Sequence, residues 1–488
     1  MWLLPVPDQL EVLILGALAT LVTGSLSGRA LSRYSSSVIS TFAFAASFYI
    51  TLVQFLNGYR ATFGPGAGIP GSVIVIDQFS NFLSLVVLAI FVFSSIYSAG
   101  YIGERHTEYF SLLLVLATGM LGVFYAGDAI SFFIYWEVMS LGSYLLVAFN
   151  YREWEAVEAS LKYLIMSSTG SAALLFGISL LYGLSGDLTF AGMRAVLASE
   201  AVSKETWSVA AFAFVIGGLA VNAAVAPFHF WLPDAHPAAP SPVSALLSGV
   251  VIKTGVYGML RLLLNVFPLE QYGWQLGLLM LGLVTMSVGN LMAALQDDIK
   301  RLLAFSSIAN IGYIVFGLSL GNQLGLLGSI LHVLNHAVAK ALLFLSAGSF
   351  IHTFHTRSLD ELSGAGKSLP VTGITYTIGA LSLAGLPGLN AFVSEYIIIA
   401  GALASPFWPF AVVMVLNVLI GAMYHLRVIQ TIFLKPPQAA NPRTAREPGF
   451  SMLLPMVLLA VAAIVIGIYP SPFLAAAEAA LRAVPLVR

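Results

Sequence analysis

GGLAVNAAVAPFHFWLPDAHPAAPSPVSALLSGVVIKTGVYGMLR, residues 217–261, decides how the rest of the chain reads. An apolar helical pattern runs up to Pro227. A crowded segment follows, with Pro227, Pro233, Pro237, Pro240 and Pro242 set among His229, Asp234 and His236. A second apolar helix begins near Ser241, and Lys253 falls about three turns into it, among apolar and small neighbours. A lysine at the centre of a membrane helix costs about 2.5–3.5 kcal/mol on insertion scales, so it reads as functional. The alternative is a lysine that snorkels to the headgroups, and the distance of position 253 from both ends of its run argues against that.

Composition sets the class. Of 488 residues, 59% are hydrophobic and 9% are charged, against about 25% charged in soluble domains. The mean hydropathy is +0.92. A soluble fold is excluded, and the chain reads as an all-α polytopic membrane protein embedded in the lipid bilayer. A net charge of -1 gives no reason to expect nucleic acid as a partner. The absence of cysteine excludes disulfides, iron–sulfur clusters and cysteine metal sites. The first apolar run follows an acidic N-terminus with no basic region, so it reads as a retained helix and not as a cleaved signal.

About fourteen runs reach spanning length: 9–27, 35–57, 77–101, 108–126, 128–149, 160–184, 207–230, 241–266, 273–295, 299–320, 323–351, 370–402, 406–434 and 450–475. The longer loops, 58–76, 185–206, 352–369 and 435–449, are too short for a soluble domain. Odd-numbered loops hold eleven basic residues: Arg29, Arg33, Arg105, Arg152, Lys300, Arg301, Arg357, Lys367, Lys435, Arg443 and Arg446. Even-numbered loops and the C-terminal tail hold five: Arg60, Arg194, Lys204, Arg482 and Arg488. The excess puts odd loops in the cytoplasm and both termini outside.

Few charges remain inside the spans: Glu137, Lys253, Lys340 and Glu395, joined by His332, His336 and His425. Lys162 and Arg261 lie nearer their helix ends. A purely structural membrane protein can dispense with such groups, whereas a proton or cation path cannot. His332, His336 and Lys340 fall at i, i+4 and i+8, one helix face over about 12 Å. Histidine suits proton relay because its ordinary pKa lies near cellular pH. The competing explanation is three polar residues packed separately against neighbouring helices. A zinc site fits less well, because no cysteine or carboxylate lies nearby in sequence.

The chain also hints at duplication. APFHFWLP at 226–233 interrupts one apolar segment, and AGLPGLNAF at 384–392 interrupts another. Each precedes a membrane charge, and paired interrupted helices point to a transport site.

Five motifs, in order, carry a family resemblance. They are YWEVMSLGSYLL at 135–146, FHFWLPDAHPAAPSPVSALLSGVVIKTGVYGMLR at 228–261, DDIKRLLAFSSIANIGY at 297–313, HVLNHAVAKALLFLSAGS at 332–349 and LPGLNAFVSEY at 386–396. Over residues 75–435 the chain resembles the antiporter-like subunits of the respiratory complex I superfamily. That superfamily includes complex I, membrane-bound hydrogenases, formate hydrogenlyase and the Mrp-type cation/proton antiporters. The wording of LPDAHPAAPSPVSALLSG and NAFVSE is most similar to the large antiporter-like subunit of hydrogenase and formate hydrogenlyase complexes.

The resemblance implies about fourteen transmembrane helices, two inverted five-helix repeats and interrupted helices seven and twelve. The expected divisions are residues 1–107 for helices one to three, 108–266 and 267–434 for the repeats, and 435–488 for the last loop and helix. It implies a proton or ion pathway through Glu137, Asn222, Lys253, His332, His336, Lys340 and Glu395, with His229 and His425 in support. Glu137 matches a glutamate that pairs with a lysine, Lys253 a connecting lysine, the histidines and Lys340 a central relay, and Glu395 a terminal group. One position departs from the pattern: Asn222 stands where relatives carry the lysine partner of that glutamate.

Three functions follow from the resemblance. The first is a proton- or sodium-translocating subunit of a redox complex. The second is a structural subunit whose conduction is impaired at Asn222. The third is an Mrp-type antiporter subunit. Expected partners are other membrane subunits and a peripheral redox module on the cytoplasmic side of a prokaryotic inner membrane. No cofactor, metal or catalytic residue is expected, since the chain has no phosphate loop or dinucleotide fingerprint. Ser167, Ser168, Thr169, Thr254 and Asn310 are candidate sodium ligands of a kind common in membrane helices, so the residues do not choose between proton and sodium.

Overall fold

Three helices make the interior: Ser241–Asn265, Ile299–Ser319 and Gln323–Phe354. The apolar stretch of the first two is wholly enclosed by protein, and that of the third is 94% enclosed. The computed structural model describes residues 7–26, 29–64, 73–268, 272–436 and 445–484. Among these, twelve helices are long and apolar enough to cross a membrane, and Thr206–Asn222 and Asn390–Leu403 are shorter apolar helices. The chain is therefore a multi-pass, mostly helical membrane protein.

Burial grades outward. Asp8–Leu26, Tyr34–Leu56 and Pro409–Phe433 keep only about a third of their apolar stretch inside. Their outer faces present Leu15, Leu18, Phe42, Leu416 and Met423. In water such stripes would aggregate, whereas in a bilayer they face lipid at no cost. The central helices instead carry their polar residues inward, where protein alone can satisfy them.

Helix starts are capped as the sequence allows. Asp77 accepts from the Ser80 amide and Ser80 returns a bond to the Asp77 amide. Asp128, Asp298 and Asn322 cap the helices that follow them. Asp128 also accepts from the Val73 amide at 2.7 Å. This ties the base of a short hairpin, Ala61–Phe63 against Ile74–Ile76, to the helix Ala129–Val147. At the far end of the Lys253 helix, Arg261 pairs with Asp77 at 2.6 Å in a buried ion pair.

Several helix bounds differ from the bounds of the apolar runs. The run 207–230 is helical only to Asn222, and helix resumes at Leu232–Ala238. The run 370–402 is two helices, Pro370–Leu383 and Asn390–Leu403, and 450–475 divides into Phe450–Ile468 and Ser471–Arg482. Proline and glycine at 387–388 and Pro470 explain the last two divisions. The loop 185–206 contains Phe190–Leu197 and Glu200–Ser203, too short to register as apolar runs. The helix Trp154–Ser185 starts six residues before the expected 160. Of the orientation residues, Arg443 and Arg488 lie outside the described residues, as do the side chains of Arg29 and Arg33.

Candidate functional site

Lys253 is buried, and its ammonium donates to the Ser248 carbonyl. The snorkelling alternative is thereby removed. Ser248 lies within a π-turn over Leu247–Val251, five residues before the lysine whose ammonium it accepts. Gly255 sits on the same helix against Ala223, where an added Cβ would lie 2.6 Å from the Ala223 amide nitrogen. The Lys253 helix thus presses directly on the backbone that follows Asn222. Ala224 there has a φ of +53°, a left-handed conformation that is strained for a residue with a Cβ.

From Ser248 a polar line crosses to the next helices. Its hydroxyl meets the Ser307 hydroxyl at 2.6 Å, and Ser307 donates to the Leu303 carbonyl at 2.8 Å. Lys340 donates to that same carbonyl at 2.9 Å. Lys253 and Lys340 therefore connect through two serines and two carbonyls spread over all three interior helices. The structure shows no ion pair between Lys340 and Glu395, which removes the salt-bridge role for that carboxylate among the described residues.

His332 and His336 lie on the same helix with rings 6.0 Å apart, tilted 22° to one another. His332 is held on both sides: one ring nitrogen meets the Asn310 amide oxygen at 3.1 Å, the other the Ser394 hydroxyl at 2.9 Å. His336 has no hydrogen-bond partner on either nitrogen. Asn310 donates to the Ser306 carbonyl at 2.8 Å, and the Ser306 hydroxyl meets His425 at 3.3 Å. His425 thus joins the same cluster.

Ser394 leads to the break before Asn390–Leu403. Asn335 donates to Ser394 at 2.9 Å and to the Asn390 carbonyl at 2.7 Å, while Asn390 donates back to the Asn335 carbonyl at 2.9 Å. This reciprocal amide clamp fixes the helix start against the histidine helix. Glu395 follows Ser394 and is buried, with Oε1 unpartnered. Its other oxygen lies 3.0 Å from where a Cβ on Gly385 would stand, so the glycine, at φ +73°, makes room for it. Tyr313 and Tyr424 are within its electrostatic reach.

The first half looks different. Glu137 is half-buried with Oε1 unpartnered, and both amide atoms of the buried Asn222 lack partners. No hydrogen bond joins Glu137, Asn222 and Lys253 among the described residues. His229 stacks on Phe230 at 4.5 Å with Nδ1 unpartnered, outside the network. Of the candidate sodium ligands, Asn310 belongs to the histidine cluster, whereas Thr169 donates to its own helix at Ile165 on an exposed face.

Sequence reasoning did not single out Ser248, Ser307, Asn335, Asn390 and Ser394. Serine and asparagine are common in membrane helices, and an acceptor carbonyl has no sequence signature. The one available signal was spacing: Ser394 and Asn390 flank Glu395 within the interrupted motif.

Residues 126–421 match the protein family described as NADH:quinone oxidoreductase/Mrp antiporter, TM. The chain is 32% identical over 422 residues to NADH-quinone oxidoreductase subunit N of Desulforudis audaxviator, covering 82% of each. It is 31% identical over 445 residues to hydrogenase-4 component B of Escherichia coli, covering 84% of this chain and 64% of that one. A chain in the structure of a membrane-bound sulfane sulfur reductase, an archaeal respiratory membrane complex, superposes with a TM-score of 0.90 at 29% identity, covering 98% of this chain and 97% of that one.

Proposed function

The chain belongs to the NADH:quinone oxidoreductase/Mrp antiporter transmembrane family, and from that premise we propose that it is the ion-translocating membrane subunit of a complex I-like redox complex. Its buried lysines, histidines and Glu395 carry protons. Lys253, Lys340, His336, His332 and Glu395 act in that order, the serine line between Lys253 and Lys340 being the observation that carries the reading. The carbonyls anchor the two lysines but have no proton to pass on; transfer occurs when each lysine swings from its carbonyl onto the Ser248–Ser307 hydroxyl pair, one hydroxyl taking a proton as the other gives one up, which needs no large backbone motion. The reading takes with it about fourteen transmembrane helices, two inverted five-helix repeats and interrupted helices seven and twelve; twelve long apolar helices, two shorter ones and the non-helical stretches 223–231 and 384–389 support it.

The unpartnered Asn222 supports a second reading, in which the first half conducts nothing and serves only to hold the second. In either case the partners are other membrane subunits and a peripheral redox module on the cytoplasmic face of a prokaryotic inner membrane, with both termini outside.

Purification of the complex from its native membrane tests this. Redox proteins among the copurifying subunits, together with proton uptake by reconstituted vesicles during turnover, are the expected result. A set of small membrane subunits without redox proteins would instead assign the chain to an Mrp-type antiporter.

A further inference from the structure

One group of buried polar side chains takes no part in the pathway above. Asn290, Tyr313, Asn417 and Tyr424 meet inside the second half, on the helices Gln275–Ala294, Ile299–Ser319 and Pro409–Phe433. All four are at most 4% exposed. The Asn290 amide donates to the Tyr313 hydroxyl at 3.0 Å and to Asn417 Oδ1 at 3.0 Å, and the Tyr424 hydroxyl donates to Asn290 Oδ1 at 3.0 Å. Asn417 donates in turn to Ser287 at 3.2 Å. The group contains no charged residue, and the carboxylate within electrostatic reach of its two tyrosines is Glu395.

The break before Asn390–Leu403 supplies a further oxygen. In a continuous helix the carbonyl of residue 383 would accept from the amide of residue 387, and Pro387 has none. The last carbonyl of Pro370–Leu383 therefore lacks its helical partner and stands at the negative end of the helix dipole. Gly421 brings the oxygens together. Its own helix backbone and chain neighbours aside, the three atoms nearest to a Cβ built there are Asn290 Oδ1 at 3.7 Å, the Tyr424 hydroxyl at 3.7 Å and the Leu383 carbonyl at 3.8 Å. Glu395 reaches the same break. Its Oε2 lies 3.0 Å from a Cβ built on Gly385, two residues after Leu383, and its Oε1 has no hydrogen-bond partner.

A buried carboxylate must be neutralised. Among the described residues Glu395 forms no ion pair: Oε1 is unpartnered, and Lys340 is bonded to the Leu303 carbonyl instead. A proton neutralises it, and so does a small hard cation, whose ligands are carboxylate, carbonyl, amide and hydroxyl oxygens. Helix breaks that free a C-terminal carbonyl are where such cations are held in membrane transporters. We propose that Glu395, the Leu383 carbonyl, Asn290 Oδ1 and the Tyr424 hydroxyl form a binding site for a monovalent cation of the sodium class, which takes the place of the proton on Glu395. Each neutral oxygen keeps a lone pair beyond the hydrogen bond it makes. The exchange balances one for one. The carboxylic O–H gives its proton to water, the carboxylate takes the sodium ion, and the site stays neutral. The titratable groups that face Glu395 are Tyr313 and Tyr424, and His332 reaches the preceding residue, Ser394; none is a lysine or arginine that would exclude a cation. None of the candidate sodium ligands singled out in the sequence belongs to this site. The proposal rests on the ion-translocating reading of the chain and adds which ions its terminal carboxylate holds.

Equilibrium binding of radioactive sodium to the purified intact complex, without turnover, tests the site. Wild type is expected to bind sodium saturably, and its apparent affinity should fall about tenfold for each unit of acidification below the pKa of the carboxyl, as one-for-one exchange with a proton requires. Glu395→Gln should lose one sodium site per complex. Tyr424→Phe, which keeps the ring and removes one ligand oxygen, should weaken binding about 10–100-fold. Gly421→Ala is the sharpest variant. Its methyl meets the three oxygens at ordinary contact distances, so the helices pack as before, but it takes the space in front of them. Sodium binding should fall while proton pumping in sodium-free buffer stays at the wild-type rate. Tyr424→Phe carries the same comparison if the alanine variant does not assemble. No saturable binding in wild type, or equal binding in wild type, Glu395→Gln and Gly421→Ala, overturns the proposal. The broader reading is read separately from Lys253→Ala. If that variant stops pumping and the wild-type complex binds no sodium, the pathway stands and the cation site is wrong. If protons displace sodium and Glu395→Gln loses it while Lys253→Ala pumps normally, the cation site stands and the pathway is wrong.

Discussion

The two halves of the molecule both bury polar groups inside their spans, but wire them very differently. In the second half, His332, Asn310, Ser394, Asn335 and Asn390 bond across three helices, and His425 joins through Ser306. In the first half, Glu137 Oε1 and both amide atoms of Asn222 are buried without partners. A buried polar group without a partner costs about 1–3 kcal/mol. A membrane helix does not keep such groups for stability. The contrast teaches that a charge inside a span marks a site, while the hydrogen bonds around it decide whether the site is held ready. Lys253 stands between the two, bonded toward the second half through Ser248 and pressed against the backbone of the first through Gly255.

The strongest test of that contrast is to cut the junction. Lys253→Ala is expected to abolish ion pumping in reconstituted vesicles while the complex still assembles. Pumping at the wild-type rate would mean that the serine line carries nothing and that the two clusters work independently. Glu395→Gln comes next. It keeps the side chain's shape beside Gly385 but removes the titrating group. Turnover of the partner redox module should stall or uncouple, with proton release lowered on the order of 10²-fold. Release at the normal ratio to turnover would exclude Glu395 as the exit group.

A smaller effect is expected from Ser307→Ala. It removes the hydroxyl between Ser248 and the Leu303 carbonyl but leaves Lys340 its own bond to that carbonyl. Pumping should fall about tenfold, the kinetic equivalent of one ordinary hydrogen bond of ~1.4 kcal/mol. Ser307→Thr restores the hydroxyl and should recover most of the rate. Equal rates in all three proteins would show that protons cross between the lysines by another route.

These tests also mark what was legible beforehand. Lys253, Lys340, His332, His336 and Glu395 stood out in the sequence because a titratable group in an apolar run is expensive and therefore rare. That the chain is a multi-pass, mostly helical membrane protein followed from run length, because only a closed helix satisfies its backbone in lipid. The residues that connect these groups were not legible. Ser307 looks like any small residue that lets helices approach, and the π-turn at Leu247–Val251 has no side-chain signature. His236 was hidden for a different reason. It sits in a proline-rich stretch that reads as a loop, yet the fold buries its ring against Phe344. Which face of a break turns inward is a property of packing, not of the local sequence.

The weakest expected effect belongs to Asn222, and it decides what the first half is for. The asparagine is 1% exposed, with donor and acceptor both unpartnered, and it is the last residue of its helix before the strained Ala224. If the first half only supports the second, the amide does no chemical work. Asn222→Leu, of similar volume, should then leave flux within about twofold and stabilise the complex by about 1 kcal/mol, since an unpaired buried amide is replaced by packing. Thermal unfolding of the purified complex reads that gain. Asn222→Lys restores the family pattern and sharpens the result. A lysine at this depth survives only if a carboxylate pairs with it, and Glu137 has a free oxygen. A lysine variant that assembles and pumps faster would show that the first half is a dormant path closed at one residue. A variant that assembles poorly or pumps no better would show that Glu137 does not reach position 222, and that traffic enters the relay at Lys253 or beyond.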